Sequence, residues 1–190
     1  PSPVPAKDKT LSGSDLGNIA AIASGTSHTL ALDGNHHVWA WGLNFSGEIG
    51  NGTQSQDVTD AVLDAVQVTV SQGQVLGNIQ KIAGGNGLSL AIDTDGNVWT
   101  WGKGDTRASQ VVGLSNVVAV SAYDQRLALD RDHCVWAWGA NNYGQLGSGT
   151  TTPSSTPIPV AGLGTDSPVV EVCAGRTFSA VRKENGTVWA

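Results

Sequence analysis

The residue types in this sequence that could hold a metal ion are its four histidines, and their spacing is the first test of that chemistry. His36 and His37 are adjacent in a predicted hairpin turn, and successive side chains of a strand point to opposite faces of a sheet. Their spacing therefore does not make them a chelating pair. His28 and His133 lie in other segments of the chain, so the sequence predicts no metal site.

Three further segments resemble functional motifs without completing them. Residues 93–97 begin like a calcium-binding loop, but Val98 stands where the loop needs its glycine and Gly104 stands where it needs its final glutamate. Residues 25–29 lack the second glycine of a nucleophile elbow, and residues 162–164 lack the third glycine of a phosphate-binding loop. Carboxylates occur singly in turns, without a paired acid and base. We therefore predict no catalytic residue, no cofactor and no enzymatic activity.

The seven tryptophans of the chain outline an internal repeat. Residues 38–42, 98–102 and 135–139 each read Val-Trp-x-Trp-Gly, and residues 188–190 begin a fourth copy. The apolar residue of a preceding strand lies 16 residues before the valine in the first, second and fourth copies and 15 residues before it in the third. Periods of tens of residues indicate stacked supersecondary units.

The segments of each repeat are short, rich in β-branched and aromatic residues, and bounded by Gly, Asn and Asp, which predicts strands and hairpins. In Val38-Trp39-Ala40-Trp41 both faces of the strand are apolar, whereas a sheet with one face in water would alternate apolar and polar residues. Small antiparallel sheets buried on both faces are typical of a β-propeller. We predict an all-β fold, a partial β-propeller of about three and a half to four blades.

The chain divides into an arm and a repeat region. Residues 1–17 predict an extended N-terminal arm or linker, and residues 18–190 predict the partial propeller, with the repeat units 18–77, 78–115, 116–167 and 168–190. Residues 65–70 and 156–160 are the predicted outer strands of the first and third units. The connection after Gly102 is short, so we expect the second unit to lack a regular outer strand.

Three stretches resemble the regulator of chromosome condensation repeat family in its bacterial or secreted form: residues 22–32, 95–98 and 138–147. The resemblance covers residues 18–190. It implies a propeller that usually has seven blades, and it implies that His28 is a hydrogen-bonded structural residue. Because this chain has only four repeat heads, we expect other copies or further sequence to complete the ring, or chains to stack end to end.

The two cysteines occupy different positions of the repeat. Cys134 falls in a hairpin turn, while Cys173 falls where other repeats have Ala23, Ala83 and Ser121. We therefore expect two free thiols, with Cys173 as a small buried residue of a strand.

Composition limits the partners and the compartment. The net charge is -6 and lysines and arginines do not cluster, which argues against a nucleic-acid surface. No stretch approaches the roughly 20 apolar residues of a membrane-spanning helix, so no membrane insertion is predicted. The acidic, Thr/Ser/Asn/Gly-rich composition favours an extracellular or cell-surface location, where the sequons at Asn44, Asn51 and Asn185 would be candidate glycosylation sites.

Two connections that follow the Trp-x-Trp-Gly strands carry the candidate binding residues. An aromatic side chain on a short, turn-rich connection is a typical interface anchor. The sequence predicts a non-enzymatic protein-interaction or assembly module that binds a protein partner or further copies of itself. The alternatives are an extracellular structural subunit of a polymer or filament, and either an enzyme with its site in the central channel or an inhibitor of a secreted enzyme. The predicted binding residues are Asn44, Phe45, Glu48, Asn141, Asn142, Tyr143 and Gln145.

Overall fold

The computed structural model describes residue 10, residues 13–57 and residues 60–190. Within them, fifteen strands form four antiparallel sheets, which we call blades 1 to 4 in chain order. Blades 1 and 2 consist of β1 (Ile19–Ser24), β2 (His28–Asp33), β3 (Val38–Gly42), β4 (Val62–Gln67), β5 (Ile79–Gly84), β6 (Leu88–Asp93), β7 (Val98–Gly102) and β8 (Asp105–Gln110). Blades 3 and 4 consist of β9 (Val117–Ala122), β10 (Gln125–Asp130), β11 (Val135–Gly139), β12 (Ser154–Pro159), β13 (Val169–Ala174), β14 (Ser179–Lys183) and β15 (Val188–Trp189).

The blades are meanders whose strands pair in chain order. The first strands of consecutive blades pack against one another, β1 on β5, β5 on β9 and β9 on β13, whereas the fourth strands lie toward the outside. This confirms the predicted all-β fold and a partial propeller of about four blades. Among the described residues the helical structure is a single 3-10 turn, Ser71–Gly73, and the described part of the chain contains no helix long and apolar enough to span a membrane.

A carboxylate fixes the second hairpin of each of the first three blades. In blade 1, Asp33 Oδ1 accepts hydrogen bonds from the backbone N–H of Asn35 and of His37, both at 2.9 Å, and Oδ2 accepts the indole N–H of Trp39 at 2.8 Å. Asp93 and Asp130 make the equivalent contacts with their own turns and with Trp99 and Trp136. In these three blades the first tryptophan of the repeat head is thereby hydrogen-bonded to the aspartate that holds the turn before it.

Apolar side chains between consecutive blades form the core. The cluster between blades 1 and 2 joins Leu30 and Val38 of blade 1 to Ile79 and Trp101 of blade 2, and all four side chains are fully buried. Two similar clusters lie between blades 2 and 3 and between blades 3 and 4. The second tryptophans of the second and third repeat heads, Trp101 and Trp138, therefore belong to interfaces between blades, whereas Trp41 of the first head is in none of the three clusters.

The prediction that the second unit lacks a regular outer strand is wrong. Strand β8 pairs with β7 through a hairpin of only two residues, Lys103 and Gly104. Their φ angles are both positive, 56° and 107°, as a tight two-residue hairpin requires. A short connection was therefore sufficient to form the strand. Units one and three do have outer strands, but β4 begins three residues before the predicted segment 65–70 and β12 two residues before the predicted segment 156–160.

The two cysteines lie in blades 3 and 4. Cys134 and Cys173 are free thiols, as predicted, but the predicted burial of Cys173 is wrong because its side chain is exposed. The equivalent residues Ala23 and Ala83 pack against the cluster shared with the next blade, whereas no described blade follows blade 4.

Within the predicted arm, residues 1–9, 11 and 12 lie outside the described residues, and Thr10 forms a parallel bridge with Ala65 of the outer strand β4.

Candidate protein-interaction loops

The seven predicted binding residues lie in two connections at the same end of the propeller. We call residues 43–57 loop 1 and residues 140–153 loop 3; each follows the third strand of its blade. Because the strands of a meander alternate in direction, this end also carries the turns between the first and second strands of every blade. The turns that hold Asp33, Asp93 and Asp130 lie at the opposite end.

A buried asparagine holds each loop in shape. Asn44 is 1% exposed; its Oδ1 accepts the backbone N–H of Ile49 at 3.1 Å and its Nδ2 donates to the carbonyl oxygen of Thr53 at 3.0 Å. Asn141 is fully buried and accepts the backbone N–H of Leu146 at 2.9 Å. Its Nδ2 donates to the carbonyl oxygens of residues 150 and 152, at 3.0 and 2.8 Å.

The next polar pair, Glu48 and Gln145, is also turned inward. Their side chains are 3% and 6% exposed and accept the backbone N–H of Ser46 and of Tyr143, at 2.6 and 2.9 Å. Buried amides and carboxylates that have found their partners cannot present those atoms to another molecule. Asn44, Glu48, Asn141 and Gln145 therefore form the loops, which narrows the predicted surface to the remaining three residues.

Those three residues point outward. Phe45 is 38% exposed and Tyr143 is 72% exposed. Asn142, which directly precedes Tyr143 in loop 3, is also exposed. Each loop thus offers one aromatic ring on a backbone that buried side chains hold in place. A fixed aromatic side chain can bury its area with little further loss of conformational entropy.

The loops are also bonded to the following blade. The Glu48 carbonyl oxygen accepts the Ser89 hydroxyl at 3.0 Å and the Trp101 indole N–H at 2.8 Å. The Gln145 carbonyl oxygen likewise accepts the Ser179 hydroxyl at 2.7 Å. Loops 1 and 3 are therefore parts of the interfaces between blades 1 and 2 and between blades 3 and 4.

His28 belongs to the first of these interfaces. Its Nε2 lies 2.8 Å from Ser89 Oγ, and because the Ser89 hydroxyl donates to the Glu48 carbonyl, Nε2 is the donor of this bond. The other ring nitrogen, Nδ1, is buried without a partner in the described structure. Burial lowers the pKa of His28 to about 4. The imidazole is therefore a neutral link between blades, as the family resemblance implies.

Two other histidines link blades at the opposite end. His36 Nδ1 lies 2.9 Å from the Ile79 carbonyl oxygen, and His133 Nδ1 lies 2.9 Å from the Val169 carbonyl oxygen. No group of three or more His, Cys, Asp or Glu side chains is placed to hold a metal ion among the residues that the structure describes.

A polar cluster at the loop end was not found from the sequence. Asp124 accepts hydrogen bonds from Asn86 Nδ2 at 3.0 Å and from Lys103 Nζ at 2.7 Å, and Thr26 donates to Asn86 at 3.2 Å. Arg126 lies beside this cluster and interacts electrostatically with Asp105 and Asp124. The signal that could have found this cluster is Arg126 itself, which replaces a small polar residue at its repeat position.

The two end blades expose apolar side chains. Ile22 of blade 1 is 74% exposed, and Phe178 and Val188 of blade 4 are 56% and 67% exposed. A cavity of about 370 Å³ lies between loop 3 and blade 4, lined by Tyr143 and Trp189 among others. Exposed apolar surface of this kind is typical of contact surfaces.

Two family models match the chain, and both describe the regulator of chromosome condensation (RCC1) repeat. One covers residues 19–48 and the other residues 132–182. Among curated proteins, the chain is similar to Protein RCC1 of Candida albicans, with 35% identity over 92 residues, 48% of this chain and 20% of that protein. It is also similar to E3 ubiquitin-protein ligase HERC2 of Homo sapiens, with 32% identity over 87 residues, 46% of this chain and 2% of that protein.

Solved structures are similar over most of the chain. Prp20p from Saccharomyces cerevisiae has a TM-score of 0.71 and 22% identity, over 87% of this chain and 44% of that chain. Human WBSCR16 has a TM-score of 0.75 and 22% identity, over 90% of this chain and 46% of that chain. At this identity the likeness concerns the fold. The chain spans less than half the length of these two structures and a smaller share of the curated relatives.

Proposed function

Because the chain belongs to the regulator of chromosome condensation (RCC1) repeat family, we propose that it is a protein-interaction module that binds through loops 1 and 3. The observation that carries the proposal is the contrast within each loop. Phe45 and Tyr143 are exposed, while Asn44 and Asn141 of the same loops are buried and hydrogen-bonded to the loop backbone. A rigid aromatic side chain at the tip of a fixed loop is typical of an interface hot spot.

The solved relatives support a protein as the partner class. Prp20p is described as binding Gsp1p and histones, and yeast RCC1 has been solved bound to Kap60. These partners belong to those proteins. For this chain we propose only a protein partner and no enzymatic activity. The similarity to the HERC2 ligase covers only 2% of the length of HERC2.

Site-specific photocrosslinking tests the proposal. A crosslinking amino acid at position 45 or 143 should trap a defined partner in an extract of the source cells. The same amino acid at position 35, in an exposed turn at the opposite end, should trap none. Tyr143→Ser and Phe45→Ser should weaken co-purification of the trapped protein. Equal crosslinking from position 35, or none from the loops, would exclude these loops as the binding surface.

A separate observation supports a second candidate function, self-association through the end blades. Ile19 is 36% exposed in blade 1, whereas its repeat equivalent Ile79 is fully buried between blades 1 and 2; Val188 is 67% exposed, whereas its equivalent Val98 is fully buried. We propose that the end faces can pair as the internal faces do, placing blade 1 of one copy against blade 4 of another.

The molar mass in solution tests whether the chain self-associates. Light scattering over a range of concentrations should give a discrete oligomer or a larger species. Ile22→Lys should reduce it to a monomer, while Leu63→Lys, on an equally exposed side chain of the outer strand β4 (82% exposed), should leave it unchanged. A monomer at every concentration would exclude self-association.

A further inference from the structure

The interface between blades 1 and 2 contains an indole ring at the loop end. The Glu48 carbonyl oxygen of loop 1 accepts two donors there, the Ser89 hydroxyl at 3.0 Å and the Trp101 indole N–H at 2.8 Å. The Trp101 side chain is fully buried, and its ring lies directly against Gly50, where an added Cβ would come within 2.8 Å of the ring. Trp101 therefore fills the space between loop 1 and blade 2.

The interface between blades 3 and 4 has a cavity at the equivalent place. The Gln145 carbonyl oxygen of loop 3 accepts the Ser179 hydroxyl at 2.7 Å and has no second donor among the described residues. Gly147 is the repeat equivalent of Gly50, and an added Cβ there would have atoms of Val160, not of an aromatic ring, as its nearest neighbours. Gln145, Gly147 and Ser179 all line the cavity of about 370 Å³. Its walls and its acceptor are thus those that surround the indole ring at the first interface.

Strand β14 is only partly paired beside this cavity. Its partner β15 lies opposite Val181 and Arg182. The equivalent strand β6 is paired with β7 at five consecutive residues, and there Ser89 lies opposite Trp101. Ser179, the equivalent of Ser89, has no partner on that side within the part of the chain that the structure describes. The position opposite Ser179 is therefore the one from which a side chain reaches the cavity.

The backbone of Ser179 is directed toward this open edge. The Phe178 carbonyl oxygen accepts the Gly175 N–H, from the turn between β13 and β14, at 2.9 Å. The hydrogen-bonding groups of successive residues in a strand point to alternate sides. The N–H and C=O of Ser179 therefore point away from β13, where an extended segment can pair with them as an added strand.

The size and the walls of the cavity suit an indole. A cavity of about 150 Å³ admits benzene, so one of about 370 Å³ holds two fused rings. Its lining includes the apolar side chains of Leu127, Leu146 and Val181. The acceptor at its wall, the Gln145 carbonyl oxygen, needs a donor, and tryptophan is the aromatic side chain whose polar atom only donates.

A folded second copy of this chain cannot supply that tryptophan. Each complete Trp-x-Trp-Gly strand, β3, β7 or β11, lies between two neighbours in its own blade. Both edges of these strands are already paired, so none of them can add to β14 without unfolding a blade. The segment that fits is therefore an extended one from a different protein.

We propose that the cavity between loop 3 and blade 4 binds a tryptophan side chain carried on an extended segment of a partner protein. The segment pairs with β14 opposite Ser179, and its indole N–H donates to the Gln145 carbonyl oxygen. A glycine follows the tryptophan, because Gly102 after Trp101 has a φ of 89° and an added Cβ there would collide with the Gly87 carbonyl oxygen. This inference rests on the proposed function, since loop 3 forms one wall of the cavity, and it names the partner segment.

A short peptide of the sequence Ala-Thr-Trp-Gly, acetylated and amidated, provides the probe. Its tryptophan carries a fluorine atom, so that fluorine NMR reports the peptide alone when it is titrated into the full chain. We expect a saturable shift of the fluorine signal and slower amide hydrogen exchange at Ser179. The same peptide with an N-methylated indole keeps the ring and loses the donor, and it should bind about tenfold more weakly.

A substitution at the cavity wall tests the location. Thr177 is exposed and lines the cavity, so the side chain of Thr177→Trp should occupy the cavity and abolish peptide binding. Ser27→Trp is the matched control, because Ser27 is the exposed residue of the same repeat position in blade 1 and does not line this cavity. This variant should bind the peptide as the unchanged protein does.

Four results would overturn the inference. They are the lack of a saturable shift, equal affinity for the N-methylated peptide, undiminished binding by Thr177→Trp, and binding that leaves amide exchange at Ser179 unchanged. The last result would make the cavity a site for a small aromatic molecule and not for a strand.

The crosslinking experiment separates this inference from the proposed function. If positions 45 and 143 trap no partner although the peptide binds and protects Ser179, the proposed function falls and the cavity site stands. If the loops trap a partner and the peptide does not bind, the cavity site falls and the proposed function stands.

Discussion

A single repeat position shows how the residue type sets the contact between blades. The position is His28 in blade 1, Leu88 in blade 2, Gln125 in blade 3 and Phe178 in blade 4. His28 and Gln125 both donate to a residue of the next blade, Leu88 packs in the core, and Phe178 is exposed where no described blade follows. The same backbone position is thus a polar link, a core residue or part of an end face.

The buried imidazole makes stability depend on pH. The pKa of His28 is lowered to about 4, so below pH 6.5 the unfolded chain binds a proton at this residue that the folded chain does not. The free energy of unfolding should therefore fall between pH 6.5 and pH 4, by about 2 kcal/mol from pH 7 to pH 5. Urea titrations at a series of pH values measure it.

His28→Gln is the matched variant, because Gln125 already makes the equivalent contact in blade 3. The variant should lose this part of the pH dependence while remaining folded. Parallel stability curves for the variant and the unchanged protein would mean that His28 titrates near its ordinary pKa.

A lysine replaces the turn carboxylate in blade 4. Lys183 occupies the position of Asp33, is fully buried, pairs with Asp166, and lies 4.6 Å from the ring centroid of Trp189. It cannot accept the indole N–H as the aspartates do, and Trp189 donates to Thr187 Oγ1 at 3.4 Å instead. The fourth hairpin therefore has the fold of the others but a different set of polar contacts.

At the scale of elements, loops 1 and 3 are stiff for an identifiable reason. Each contains one buried asparagine that joins the start of the loop to its middle and its end, and one buried aliphatic residue, Ile49 or Leu146, directly after the turn. The loop backbone is thus held by hydrogen bonds and by an apolar anchor, rather than by the strands alone.

Removing that asparagine should loosen the whole loop. Asn141→Ala leaves the Leu146 N–H and two carbonyl oxygens without partners, which should cost roughly 2 kcal/mol and accelerate amide hydrogen exchange of Leu146. Asn142→Ala, one residue away and exposed, should change neither quantity. Equal effects of the two variants would show that the buried amide does not fix the loop.

At the scale of the whole molecule, the same apolar repeat positions are buried inside and exposed at the ends. Ile79 is fully buried between blades 1 and 2, and its equivalent Ile19 is 36% exposed on the first blade. The difference depends only on whether a blade precedes in the described chain, because the strand residues are equivalent.

Two truncations measure this difference. Ile79→Ala should lower the free energy of unfolding by about 3 kcal/mol, whereas Ile19→Ala should lower it by less than about 1 kcal/mol, at protein concentrations where light scattering gives a monomer. If Ile19→Ala costs as much as Ile79→Ala, the face of blade 1 is covered in solution.

The repeat made much of the fold predictable. The Trp-x-Trp-Gly heads and the turns before them placed three strands of every blade, because local residue types determine strands and tight turns. The outer strand of blade 2 was missed, since two residues with positive φ replaced a long connection. At the candidate site, Phe45, Asn142 and Tyr143 were predicted on the exposed side, but Asn44, Glu48, Asn141 and Gln145 were not recognised as buried, because polarity alone does not tell which way a side chain points.

The sequence by itself determined the repeat, the all-β class and the positions of the two aromatic loops, because periodicity and turn residues act over short stretches of chain. Only the tertiary structure decided the contacts that cross from one blade to the next. His28 meets Ser89, Lys103 meets Asp124, and Arg126 lies where the other interfaces have a serine. These pairs are 61 and 21 residues apart in the first two cases. Their proximity arises from the packing of whole blades, which no local pattern encodes.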